Sequence, residues 1–151
     1  MSVTEPRTLI VGSDLSPGTR DLLTYALETR HGTHARIVLV HVVEVGQHIW
    51  AALSREYAAD DVKERLFAMA DSVLRDLSAH EAKEPPVGVE VQIHWGDPAN
   101  LLVNVARIEG ADLIVLGRHT PGKLREFVLG GVTDKVLRRA PCPVVVVPQN
   151  G

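Results

Sequence analysis

The sequence holds one cysteine, Cys142, which excludes an internal disulfide framework and any multi-cysteine metal site. Aromatic side chains make up only 4% of the chain, and its two tryptophans, Trp50 and Trp95, stand too far apart to suggest a base-stacking platform. The longest apolar runs, such as Val144 to Val147, fall far short of the roughly 20 residues of a membrane-spanning helix. Neither sign of charge dominates. The formal net charge of −3 gives no global attraction to nucleic acid or to an anionic membrane. The N-terminal residues carry Glu5 and no apolar stretch of the kind a signal peptide needs. These absences point to a cytoplasmic protein that engages neither nucleic acid nor membrane. The seven histidines show no H-E-x-x-H spacing, which argues against a catalytic zinc site. No G-x-S-x-G elbow is present, and no G-x-G-x-x-G follows the first β-like run.

What is present is a globular composition, 45% hydrophobic with interspersed charges, in 151 residues. That length suits one domain, residues 1–151, with its own core. Thr8 to Val11 is a short β-branched run ending at Gly12 and reads as a buried strand. Ser16-Pro17 reads as a helix start, with Ser16 as cap and Pro17 at the first helical position. Leu22, Leu23, Ala26 and Leu27 recur at helical spacing, and Gly32 is placed to end that helix. Ile37 to Val43 is a second buried strand. A long helix is predicted from about Leu53 to His80, with Leu66, Ala70, Val73, Leu74 and Leu77 as its apolar stripe and Pro85-Pro86 as its stop. Val89, Val91, Ile93 and Trp95 alternate with polar residues, the pattern of an edge strand with one wet face. Asp97-Pro98 starts a third helix, with Leu101, Leu102, Val105 and Ala106 as its stripe. Leu113 to Leu116 is a fourth strand. A short helix begins near Gly130, and Val144 to Val147 is a fifth strand, apolar on both faces and expected to be covered on both.

Alternation of this kind predicts a doubly wound parallel sheet with helices on both faces. Ligands of such folds bind beyond the carboxyl ends of the strands, where the strand order reverses. The segments there are Gly12 to Ser16, Val42 to Glu44, Trp95 to Asp97, and Gly117 to Thr133. Two features of the last point to an anion. Gly130-Gly131 leaves backbone N–H groups uncovered at a helix N-terminus, where the dipole favours negative charge. Residues 118 to 139 also carry six basic side chains against two acidic ones. The competing explanation is tight packing at the glycines and simple complementation of the helix C-terminus by Arg138 and Arg139. Gly117, Gly122 and Lys123 satisfy G-x-x-x-x-G-K, but Leu124 stands where a phosphate-binding P-loop needs Ser or Thr. Asp14 is either a ligand to a ribose or metal or a turn-former. His119 either touches a phosphate or is solvated. His41 reads as a strand-end histidine satisfied within the fold, and Cys142, between two prolines, as structural.

The segment from Gly117 through Gly130 to Val132-Thr133-Asp134-Lys135-Val136-Leu137 and Ala140-Pro141-Cys142-Pro143-Val144 resembles the signature of the universal stress protein family. Gly12-Ser13-Asp14-Leu15-Ser16 and His41-Val42 match the family's motifs after strands one and two, and the likeness covers about residues 7–148. The resemblance implies a five-stranded parallel sheet in the order 3-2-1-4-5. It implies a site for ATP or a related adenine nucleotide, with or without magnesium, made by Gly12, Ser13, Asp14, Val42, Leu116, Gly117, His119, Thr120, Gly130, Gly131, Val132 and Thr133. Asp14 would lie near the ribose and a nucleotide-bound magnesium, Val42 near the adenine, and the glycines near the phosphates. Two positions depart from the family pattern: Thr120 replaces a glycine, and Gly131 replaces a Ser or Thr. A lost neutral hydrogen bond is worth roughly 0.5–1.5 kcal/mol, which weakens such a site without abolishing it. With no nucleophile–base pair in view, the expectation is a regulatory binding module, not an enzyme, in which slow ATP hydrolysis would be incidental. The alternative is a stress-response dimer that binds no nucleotide and acts through protein contacts. The last strand, residues 143–148, is expected at a sheet edge, where pairing with a second copy would give a homodimer.

Overall fold

The computed structural model describes residues 8–14, 16–29, 35–43, 55–81, 89–118 and 130–148. Their elements alternate: β1 (Thr8–Ser13), α1 (Thr19–Thr29), β2 (Arg36–Val43), α2 (Arg55–Glu81), β3 (Val89–Trp95), α3 (Pro98–Ile108), β4 (Leu113–Gly117), α4 (Gly131–Arg139) and β5 (Val144–Val147). The strands form one parallel sheet in the order β3-β2-β1-β4-β5. This is the order that the family resemblance implied.

The pleat of the strands divides the core in two. Leu9 and Val11 of β1, Ile37 and Leu39 of β2 and Val115 of β4 face α1 and α2, where Leu22, Leu23, Ala26, Leu66, Ala70 and Val73 are buried. Ile10, Val38, Val40, Ile114 and Leu116 face the other way, onto Leu102, Val103, Ala106 and Val136 of α3 and α4. Continuous β-branched runs are what a strand buried on both faces requires. Leu66, Ala70 and Val73 form the expected stripe of α2, while the side chains of Leu74 and Leu77 lie outside the described residues, as do Gly32 and Pro85-Pro86. Among the described residues, no helix is long and apolar enough to cross a membrane.

The helix starts follow the side chains available. At α3, Asp97 accepts from the Asn100 N–H at 3.0 Å and Pro98 occupies the first turn, as the sequence predicts. Gly96, with φ of 142°, supplies the turn out of β3 that brings Asp97 into place. The start of α1 differs from expectation. Asp14 Oδ1 accepts the Ser16 N–H at 2.9 Å, and tight turns follow, from Thr19 N–H to the Ser16 carbonyl and from Arg20 N–H to the Pro17 carbonyl. The helix therefore begins at Thr19 rather than at Pro17. Asp14 thus acts as a turn-former ahead of α1, one of the two roles the sequence allowed it.

The edges also divide expectation. β3 is an edge strand with Val89 and Val91 buried and Glu90 exposed. β5 lies at the other edge, yet all four of its valines are only half-buried in the single chain, so its faces are not both covered. Nine-residue α4 overlies one side of it incompletely.

Beyond the hydrophobic layers, one polar network ties β2, β3 and α3 together. Arg36 donates to Glu90 at 3.0 Å and to Glu109, just past α3, at 2.5 Å. Gln92 donates to both of these carboxylates. Arg36, and next Gln92, hold the Glu109 carboxyl below its usual range. A lowered folded-state value means that this stabilisation is complete above the pH at which an unfolded glutamate titrates. It is lost as pH falls through the folded value. Arg36→Met is therefore expected to lower stability at neutral pH by up to about 1 kcal/mol, since the partners are partly solvated. The gap to wild type should close below about pH 4. Urea midpoints at pH 7 and pH 3 check this; an equal gap at both contradicts it.

Candidate functional site

The strand order reverses at β1, whose two neighbours, β2 and β4, lead into crossovers on opposite faces. Beyond the carboxyl ends of these strands lies a cavity of about 370 Å³. Its floor is made by Gly12, Ser13 and Asp14 of the β1 end, Val40, His41 and Val42 of β2, and Leu116 and Gly117 of β4. Pro98 and Leu102 of α3 form one wall, and Gly130 to Thr133 at the start of α4 form another. The register sets this arrangement, with Gly12 opposite Val40 and Ser13 opposite His41.

Gly12 is required by close packing. A Cβ added there would lie 2.5 Å from Leu116 Cδ2 and 3.3 Å from Leu102 Cδ2, both on buried side chains. The next residues are held by polar bonds. Ser13 Oγ and Thr19 Oγ1, both buried, share a hydrogen bond of 2.9 Å that joins the end of β1 to the start of α1. His41 Nδ1 lies 2.8 Å from the Ser13 carbonyl. A carbonyl only accepts, so this nitrogen carries the proton and the ring is fixed across the β1–β2 seam. His41 is thus satisfied within the fold, as expected of a strand-end histidine. Asp14 is exposed and forms the turn already described, with Oδ1 engaged.

The α4 wall is different in kind. Gly130 is its N-cap and offers no side-chain bond. The first intrahelical bond runs from the Asp134 N–H to the Gly130 carbonyl at 3.0 Å. The N–H groups of Gly131, Val132 and Thr133 precede it and have no acceptor within the helix. They carry the positive end of the helix dipole toward the cavity. Among the described residues nothing lies within 4 Å of the position a Gly131 Cβ would take. The Thr133 hydroxyl is committed: it donates to the Gly117 carbonyl at 3.0 Å, so α4 is tied to the end of β4.

All the described candidates from the sequence line this cavity: Gly12, Ser13, Asp14, Val42, Leu116, Gly117, Gly130, Gly131, Val132 and Thr133. His119 and Thr120 lie outside the described residues. Val40, His41, Pro98 and Leu102 also line it and were not named from sequence. Period-two alternation could have found Val40, which shares a strand face with Val42. Pro98 and Leu102 arrive from a helix remote in sequence and carry no local signal. The basic surplus near α4 is partly spent elsewhere, since Arg138 pairs with Asp134 at 3.2 Å and Arg139 donates to Asn100 at 2.8 Å. Burial, with the charge of Asp112, pushes the Cys142 thiol up, which suits a structural thiol. Among the described residues no group of three or more His, Cys, Asp or Glu side chains could hold a metal ion.

A doubly wound α/β domain with a crevice at its topological switch point is the class defined by this sheet and cavity. Within that class the chain belongs to the universal stress protein family, whose model matches residues 6–148. It is 28% identical over 131 residues to a universal stress protein of Methanothermobacter thermautotrophicus, covering 84% of this chain and 86% of that one. Among solved structures it resembles a universal stress protein in complex with cAMP (TM-score 0.63, 20% identity, 97% and 100% of the two chains). It also resembles the universal stress protein from Archaeoglobus fulgidus in complex with dAMP (TM-score 0.59, 21% identity, 95% and 98%).

The packing at Gly12 generates a direct test. Gly12→Ala places a methyl against Leu116 and Leu102 and should cost about 1–3 kcal/mol of stability by overpacking. Urea unfolding reads this; an unchanged midpoint would mean that the strand ends are packed more loosely than described.

Proposed function

We propose that this chain is a regulatory module that binds an adenine nucleotide at the carboxyl ends of its strands and reports occupancy to stress-response partners. The observation that carries the proposal is one cavity bounded on one side by apolar Val40, Val42, Pro98 and Leu102, and on another by the uncapped N-terminus of α4. The apolar side suits a flat base, and the helix N-terminus suits a phosphate. The adenine nucleotides held by two structural relatives support the same reading. The residues present fit such a ligand: Gly131 leaves the helix terminus open among the described residues. Asp14, which lines the cavity, is the residue assigned in this reading to a ribose or a nucleotide-bound magnesium. The bound nucleotide supplies the signal. The chain's own groups orient it and donate hydrogen bonds. The Ser13 hydroxyl is paired with Thr19 and the Thr133 hydroxyl with Gly117, which favours binding over turnover.

Gly130→Val would place a branched side chain beside the terminal N–H groups. Gly130 has φ of −59°, so valine can adopt this backbone, and the fold should survive. Nucleotide binding by titration calorimetry is expected to fall below detection in this variant. Equal affinity in variant and wild type would displace the phosphate from α4.

The assembly follows from β5. It pairs with β4 on one side, and its four valines are half-buried in the single chain, with no charge or proline among them. An apolar edge of this kind is stabilised by strand pairing. We propose that residues 143–148 pair with the same segment of a second copy in a two-fold homodimer. Val146→Pro removes a ladder donor and should split the dimer or make the protein insoluble. Light scattering that finds the wild-type chain monomeric at high concentration contradicts this assembly.

A further inference from the structure

Resting on the nucleotide reading above, we infer that His41 reads the sugar of the nucleotide: its Nε2 accepts a hydrogen bond from a ribose hydroxyl, so the site favours ribonucleotides over their deoxy counterparts. His41 lines the cavity at the carboxyl end of β2, opposite Ser13 in the register, and is only partly buried. One nitrogen pins its ring. Nδ1 lies 2.8 Å from the Ser13 carbonyl, which can only accept, so Nδ1 holds the proton. In the neutral ring Nε2 then keeps a lone pair and serves only as an acceptor. The two nitrogens flank one ring carbon, so fixing Nδ1 at the β1–β2 seam also fixes the direction in which Nε2 points. This Nε2 has no partner among the described residues, and it is not sealed from solvent.

The placement of the ring singles out the sugar. In this reading the base lies against Val40 and Val42 of β2, and the phosphate meets the head of α4, which the Thr133 bond holds to the end of β4. β1 lies between β2 and β4 in the sheet. Two strand spacings separate the walls by roughly 10 Å, a span that a base, a sugar and a phosphate in line can bridge. A nucleotide reaching from one wall to the other carries its sugar over the end of β1, past the seam where the His41 ring is pinned. An acceptor at that point selects among the parts of the ligand. Ionised phosphate oxygens bring it no proton, and the amino group of the base lies with the base at the β2 wall. The ribose hydroxyls are the donors that pass the seam. Replacing the contacting hydroxyl by hydrogen loses one neutral hydrogen bond and leaves the base and phosphate contacts as they were.

Titration calorimetry of the full chain with AMP, 2′-deoxy-AMP and 3′-deoxy-AMP tests this. One of the deoxy analogues should bind about threefold to tenfold more weakly than AMP, the loss expected of one neutral hydrogen bond, and that analogue identifies the hydroxyl. AMP binding no more tightly than either analogue overturns the inference and leaves the nucleotide reading in place. No binding by any of the three overturns both. His41→Asn separates the ligand contact from the clamp between strands. The asparagine N–H can meet the Ser13 carbonyl as Nδ1 does, but nothing of its side chain extends to the position of Nε2. In this variant the preference for AMP should fall to within about twofold. A ring that only clamps the strands would leave the ratio at its wild-type value, and that result overturns the inference. Wild-type protein carrying isotopically labelled histidine gives a reading that needs no variant. AMP should move the His41 Nε2 resonance, and the analogue lacking the contacting hydroxyl should move it clearly less. Equal shifts with all three nucleotides overturn the inference.

Discussion

β1 is paired along both edges and its apolar side chains are fully buried, and the remainder of the molecule is organised by that double constraint. A strand in this position cannot carry charge or tolerate slippage. Its register with β2 and β4 therefore sets where three strand ends come to rest. Because β2 and β4 lead into crossovers on opposite faces, the ends diverge above β1 and leave a crevice. Gly12 sits at the bottom of it, where the side chains of Leu116 and Leu102 leave no room for a Cβ. The site is a consequence of sheet topology first and of particular polar residues second.

The polar residues around the crevice mostly hold the protein to itself. Ser13 binds Thr19, His41 binds the Ser13 carbonyl, Thr133 binds the Gly117 carbonyl, and Asp14 shapes the turn into α1. The first three join separate strands and helices, and the last lies within the turn between β1 and α1. What they leave for a ligand is main-chain donors at α4 and an apolar pocket beside β2 and α3. That division separates a frame held by the protein's own hydrogen bonds from the surface proposed to meet a nucleotide.

Much of this was legible in the sequence, and the reason is physical. Strands buried on both faces need unbroken β-branched runs, so Thr8 to Val11 and Ile37 to Val43 declare themselves. Asp97-Pro98 has one good use, and α3 begins there. The glycines at 117 and 130, with Gly12-Ser13-Asp14, marked the strand ends that surround the cavity. Other features depend on contacts that local pattern does not encode. The start of α1 at Thr19 depends on the turns from Ser16 to Thr19 and from Pro17 to Arg20, which the Ser16-Pro17 pair does not specify by itself. The Thr133–Gly117 bond joins residues 16 apart in sequence, and nothing in either residue type announces it. Four valines in a row read as a fully covered strand, although β5 is half-exposed at the edge of a single chain, because covering it takes more than α4 provides.

The central claim is that the N–H groups at the head of α4 receive the phosphate of a nucleotide seated in the crevice. Backbone amide shifts, followed by nuclear magnetic resonance while AMP is titrated into the labelled chain, test it most directly. The account predicts the largest changes at Gly131, Val132 and Thr133, with smaller ones at Gly12, Ser13 and Val42, and little change at Arg36 or Glu109. Changes centred on β3 and the Arg36 network, with the head of α4 unmoved, would contradict it.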